Sequence, residues 1–159
     1  MSVIVRPTNE SDHAYVRDTF LKWGDTYVVT RGRKVYWSEV DGFCVVDEAG
    51  GRLGLVTFQI STDQCEIISL DTSMKRFGIG TALIEAVKDK ARLSGCHRLW
   101  LITTNDNVSA IRFYQLVGFR LVAVHAGAIE ESRRLKPSIP LTGRQGIPIR
   151  DELEFAMML

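Results

Sequence analysis

The chain has 159 residues, close to the size of one ordinary domain, and its 45% hydrophobic and 25% charged content fits a folded globular protein rather than a disordered one. Twenty Lys and Arg against nineteen Asp and Glu leave a formal charge of +1, which provides no global basic field for nucleic acid or an anionic membrane. Cys44, Cys65 and Cys96 form neither a Cys-x-x-Cys pair nor an even framework and read as reduced core thiols; with no leader-like start and no apolar run of roughly twenty residues, the expectation is a cytoplasmic protein.

In chain order, Val3, Ile4 and Val5 predict a short strand that stops at Pro7, and Thr8 offers an N-cap for a helix over residues 9–23. Residues 25–40 are mixed; Val35, Tyr36, Trp37 and Val40 suit either a short helix or a loop over a cleft. Strand-like runs follow at 43–46, 53–60 and 65–70, joined by hairpin linkers at 48–52 and 61–64. Ile79, Leu83, Ala86, Val87 and Ala91 then recur at helical spacing. Residues 99–103 read as a buried strand, 108–117 as a helix ending at Gly118, and 119–124 as another strand. Residues 127–151 hold three of the four prolines and are expected to form an insertion loop without regular structure inside a single domain spanning 1–159. A long loop of this kind tends to be functional. Residues 152–159 predict a last strand, which either pairs within the sheet or lends its edge to a second copy in a homodimer.

The segment Lys75-Arg76-Phe77-Gly78-Ile79-Gly80-Thr81 lies between a predicted strand and a predicted helix. Glycines there allow several backbone N–H groups to converge, and the helix N-terminus adds partial positive charge, so the turn suits a pyrophosphate. Thr81 and Ala82 after Gly80 rule out a Gly-Lys-Ser/Thr triphosphate loop, and Leu83 stands where a dinucleotide fingerprint needs a small residue. Read alone, the turn is equally a plain connector.

A second segment carries Asn105, Asp106, Asn107, Ala110, Phe113, Tyr114, Gly118 and Phe119 across a strand exit and the next helix. Together the two segments resemble the GNAT superfamily of N-acetyltransferases, whose motifs are Gln/Arg-x-x-Gly-x-Gly/Ala and Asn-x-x-Ala-x-x-Phe-Tyr-x-x-x-Gly-Phe. Lys75 fills the leading position of the first, which keeps the charge without the Arg fork. The element order over residues 3–124 also follows the family plan, and the run from Arg133 to Pro140 with Gly146 to Glu152 is similar to a bacterial subgroup with an insertion before the final strand.

The resemblance implies an α/β (α+β) fold with a mixed, strongly twisted sheet of about six to seven strands flanked by helices. It implies acetyl-CoA as co-substrate, with pyrophosphate on the backbone of Arg76, Phe77, Gly78, Ile79, Gly80 and Thr81 beside Lys75, and the pantetheine arm along Ser69, Leu70 and Asp71. Asn107, Ala110 and Phe113 are further contacts it implies, with Asn105 a weaker one that, like Asp106, is equally a helix cap. A backbone N–H near Ser69 or Leu70 is the expected oxyanion donor.

Direct transfer to an amine requires loss of the ammonium proton, and Glu66 occupies the position where many members carry a general base; the alternative is a surface carboxylate in an ion pair. Simple alternation places Glu66, Ile68 and Leu70 on one face and Cys65, Ile67 and Ser69 on the other, with Glu66 among apolar neighbours. Tyr114 is the expected acid for the CoA thiolate; the alternative is a core tyrosine. Trp23, Tyr27, Tyr36 and Trp37 suit an acceptor pocket or ordinary packing. Arg133, Arg134, Lys136 and Arg144 suit closure over an anion or a solvated basic loop. His13, His97 and His125 are dispersed, so no metal site is expected. The expected activity is N-acetylation of a primary amine on a small molecule or protein; a CoA-binding sensor or an acyltransferase for longer chains are the alternatives.

Overall fold

A computed structural model describes residues 2–73 and 78–159; Lys75, Arg76 and Phe77 of the glycine turn lie outside the described residues. Seven strands form one sheet in the order β1 (Val3–Pro7), β4 (Asp41–Asp47), β5 (Arg52–Ser61), β6 (Gln64–Thr72), β7 (Arg98–Thr104), β9 (Glu152–Met158) and β8 (Arg120–His125). Only β6 and β7 run parallel, because helix α2 (Ile79–Leu93) carries the chain back between them; every other neighbouring pair is antiparallel. The mixed α/β architecture expected from the sequence is the one observed.

Helix α2 buries Ile79, Leu83, Val87 and Ala91 of the apolar stripe read from the sequence, with Ile84 in addition and Ala86 half-buried, against Val45, Val56, Phe58 and Ile67 of the sheet. Gly54 of β5 lets the helix approach: a β-carbon there would lie 2.7 Å from Ile79 Cγ2. On the opposite face, helix α1 (His13–Leu21) packs Val16 and Phe20 on Cys44, Leu55 and Ile68. Its start is pinned by Asp12, which is fully buried and accepts hydrogen bonds from Arg6, from Arg52 Nε at 2.8 Å and from the Asn9 N–H. These pairs hold the Asp12 carboxyl far below the usual carboxylate range. All three cysteines are buried free thiols, and burial pushes Cys65 up to about 12.

Two stretches differ from expectation, and the last strand takes one of its two expected places. Residues 25–40, read as helix or loop, contain a hairpin of β2 (Tyr27–Thr30) and β3 (Arg33–Tyr36), separate from the main sheet. Its two-residue turn has Arg31 at φ 47° and Gly32 at φ 74°, the positive-φ pair that matches strand twist. The 127–151 insertion, expected to lack regular structure, begins with helix α4 (Ala128–Leu135), because the good helix formers there precede the first proline at 137. Its remainder closes on itself through a Thr142–Pro148 bridge and a Gly143 N–H to Ile147 carbonyl bond of 2.8 Å. The last strand, β9, pairs with β7 on one side and β8 on the other, so its edges are used inside the sheet and β8 is the terminal strand.

Candidate active site

The parallel ladder between β6 and β7 covers only residues 64–67 with 98–101. Beyond Ile67 and Leu101 the strands continue to Thr72 and Thr104 without pairing to each other, so the sheet splays open there. A bulge sits at the same point: Thr57 faces Ser69 while Phe58 faces Ile67, leaving Ile68 as the extra residue. This overturns the simple alternation. Cys65, Ile67 and Leu70 pack toward α2, whereas Ile68 packs toward α1, the Ser69 hydroxyl meets Thr57 Oγ1, and Asp71 pairs with Lys22 just after α1. Ser69 and Leu70 have therefore exchanged faces relative to the expectation.

Glu66 enters the splay from the α1 face, 4% exposed. Its surroundings are not the apolar ones expected: Thr30 Oγ1 donates to Oε2 at 2.6 Å and Arg33 Nη2 donates to Oε1 at 2.7 Å. Both donors come from the β2–β3 hairpin, which lies across the splay. The hairpin is fixed further by the Arg31 backbone N–H and guanidinium, which donate to Glu152, itself 1% exposed. Beneath the hairpin, a hollow of about 220 Å³ has Glu66, Ile67, Ile68, Ile102, Thr103 and Thr104 on its floor. Trp23, Val28, Val29 and Thr30 close it above. Of the four aromatic residues considered for a pocket, only Trp23 lines this hollow; the Tyr27 hydroxyl donates to the Leu135 carbonyl, Tyr36 packs on Tyr27 and Trp37 on His13.

Gly78 takes the left-handed conformation (φ 67°) that starts α2, and as a glycine it offers the first-turn N–H groups no capping side chain, so among the described residues these groups have no side-chain cap. Ile79 is 1% exposed, so its side chain serves the core and only its backbone is available at the turn. Gly80 faces Phe113, and Thr81 is exposed. The two sequence motifs thus meet through the Gly80–Phe113 contact. On helix α3 (Val108–Leu116), Tyr114 is buried against Phe113, Phe119 and Phe155, with ring centroids 5.4, 5.5 and 6.3 Å away. Burial pushes its phenol well above the usual range, so it stays protonated. Phe155 pairs across the sheet with Leu101, the last β7 residue before the splay.

The helix cap falls to Asn107 and not to Asn105. Asn107 caps α3 by accepting from the Ala110 N–H at 3.4 Å, and Ala110 packs on the main core. Asn105, expected as a cap or a weak CoA contact, clamps the insertion instead: its amide donates to the Pro148 carbonyl at 2.9 Å and accepts from the N–H groups of Arg150 and Asp151 at 2.9 and 3.0 Å. Asp106 accepts from the Thr104 hydroxyl rather than capping. Within the insertion, Arg133 donates to the carbonyls of Ile139, Pro140 and Ile149 and acts as an internal strut, and Arg134 pairs with Glu131. Lys136 is buried over Tyr27, and burial lowers its pKa. Among the described residues, no group of His, Cys, Asp and Glu is arranged to hold a metal ion, and no helix is long and apolar enough to cross a membrane.

Residues 8–119 match the model of the acetyltransferase (GNAT) family. The chain belongs to that family. One relative in sequence is the uncharacterized protein YdhI of Bacillus subtilis (strain 168), 44% identical over 158 residues and 99% of both chains. Two solved structures share the fold: a GNAT family acetyltransferase from Elizabethkingia anophelis with acetyl-CoA bound (TM-score 0.72, 16% identity, 99% of this chain and 98% of that one) and an IAA acetyltransferase from Bacillus cereus (TM-score 0.70, 18% identity, 99% and 100%).

The residues that sequence reading missed are Thr30 and Arg33. Their signal was present: Arg31-Gly32 between the β-branched runs Tyr27-Val-Val-Thr30 and Lys34-Val35 is a two-residue hairpin pattern.

Proposed function

We propose that this GNAT acetyltransferase moves the acetyl group of acetyl-CoA directly to a primary amine of a small molecule or protein. The observation that carries the reading is the buried Glu66 carboxylate at the point where β6 and β7 part, one residue from the bulged pair of β6.

The residues present fit the co-substrate. The uncapped start of α2 at Gly78, Ile79, Gly80 and Thr81 suits the pyrophosphate, with Lys75, Arg76 and Phe77 preceding it in sequence. The β6 stretch of residues 68–72, unpaired on its β7 side, suits an extended amide-bearing arm, which adds like a strand beside Ser69, Leu70 and Asp71. Asn107, whose amide reaches Thr103 Oγ1 at 3.4 Å, would add a further amide contact. When bound, acetyl-CoA supplies an acetyl group activated as a thioester.

The chain's own groups do the rest. Glu66, held in one orientation by Thr30 and Arg33, takes the proton from the ammonium through an intervening water bound at a lone pair that these two donors leave free. As the amine nitrogen bonds to the carbonyl carbon, a backbone N–H at the bulge near Ser69 or Leu70 stabilises the charge gathering on oxygen. The C–S bond then breaks, the nitrogen loses its second proton to give the neutral amide, and Tyr114, kept protonated by burial, gives its proton to the thiolate and is restored by the one the nitrogen releases, relayed through water. Proton transfers of this kind contribute about 10²–10⁴-fold each.

The test is mass-spectrometric detection of an N-acetylated product across a panel of alkylamines, polyamines, amino acids, aminoglycosides and peptides. Product that requires both acetyl-CoA and the amine supports the reading; acetyl-CoA binding with no product on any acceptor contradicts it.

A further inference from the structure

Glu66, with Thr30 and Arg33 over its two oxygens, separates two hollows. Oε2 is held by Thr30, which lines the hollow of about 220 Å³ at the splay. Oε1 is held by Arg33, which lines a second hollow of about 540 Å³ toward the start of β6 and β7, where Gln59, Asp63, Gln64 and Trp100 make a polar wall. Glu66 lines both. Arg33 also donates to Gln59 Oε1 at 3.2 Å, so its guanidinium bridges β5 and β6 and covers the carboxylate from the second side. The result is a Glu66 side chain only 5% exposed behind an Arg33 side chain that is 47% exposed.

We infer that Arg33 is a specificity-determining residue that closes the rear of the acceptor hollow, so that the acceptor is a small primary amine whose body fits in the space at the splay. This rests on the reading that the reacting amine lies beside Glu66. The front hollow is small and largely apolar, with Trp23, Val28 and Ile102 around the single carboxylate. An elongated polyamine needs room beyond Glu66, and on that carboxylate's far side, among the described residues, lies the larger hollow behind Arg33. Truncating Arg33 joins the two spaces and uncovers Oε1, where a second ammonium of a longer acceptor takes the place of the guanidinium.

The experiment compares kcat/KM for spermidine and for propylamine in the wild type, Arg33→Ala and Arg33→Met, with melting temperature as a check on folding. Methionine keeps the unbranched apolar stem of the gate without its charge. The expected result is a rise of about tenfold or more in the spermidine-to-propylamine ratio in Arg33→Ala, with Arg33→Met within about threefold of wild type. An unchanged ratio in Arg33→Ala, or an equal rise in Arg33→Met, overturns the gate. If the wild type acetylates neither amine, the functional reading fails for these acceptors, and the gate is read from saturation-transfer NMR of the same two amines. Spermidine binding gained in Arg33→Ala but not in Arg33→Met then supports it, and no gain overturns it.

Discussion

The ring of Phe113 lies over Gly80 so closely that a β-carbon added at Gly80 would meet Phe113 Cζ at 3.1 Å. The first turn of α2 and the middle of α3 are therefore set against each other by the absence of one side chain. Gly80→Ala should push the helices apart by a few tenths of an ångström and weaken acetyl-CoA binding by about tenfold, at a stability cost of roughly 1 kcal/mol. Calorimetric titration with acetyl-CoA measures it; unaltered affinity would dissociate the turn from the cofactor.

Tyr114 combines a ring that fills the core with a hydroxyl that no described residue binds. Tyr114→Phe keeps the ring, so its melting temperature should stay close to that of the wild type while kcat falls at least about tenfold. Tyr114→Ala empties the aromatic cluster and should cost about 3–5 kcal/mol in denaturant unfolding. Equal kcat in wild type and Tyr114→Phe would assign the residue to packing alone.

Asp12 predicts acid sensitivity. Its folded-state pKa lies below the unfolded value of roughly 3.9, so its stabilisation is fully present above about pH 5 and is lost as the pH falls toward the folded value. Asp12→Asn should remove about 2 kcal/mol at neutral pH and flatten the loss of stability between about pH 5 and pH 2. Urea unfolding midpoints across that range provide the comparison, and parallel curves for the two proteins would exclude Asp12 as the source.

Asn105 uses both ends of its side-chain amide on the insertion, and Arg133 braces the same segment from inside. The insertion should accordingly act as a wall: limited proteolysis of the wild type should spare residues 136–150 with or without acetyl-CoA. Asn105→Ala should expose them to cleavage. Cleavage there in the free wild type, suppressed by acetyl-CoA, would make the segment a lid instead.

Much of the fold was legible because its signals are local. The α2 stripe from Ile79 to Ala91, the strand runs before it and the positive-φ glycine at 78 each follow from a few neighbouring residues. The site was legible only in part. The bulge at Ile68 is a property of the ladder with Thr57 and Phe58, so strict alternation put Ser69 and Leu70 on the wrong faces. Arg33 and Glu66 are brought together by a hairpin that folds over the sheet, a long-range placement no window of residues encodes. Asn105 and Asn107 look alike in sequence, and only the returning insertion decides which one caps and which one clamps.

The central claim is that the carboxylate at the β6–β7 splay drives amine acetylation. Its most direct test is the rate of CoA thiol release with an accepted amine in wild type and Glu66→Gln, alongside acetyl-CoA affinity for both. The account predicts a fall of about 100-fold or more in kcat with acetyl-CoA affinity within about threefold. Equal rates in the two proteins would contradict it and reduce Glu66 to an anchor for the hairpin.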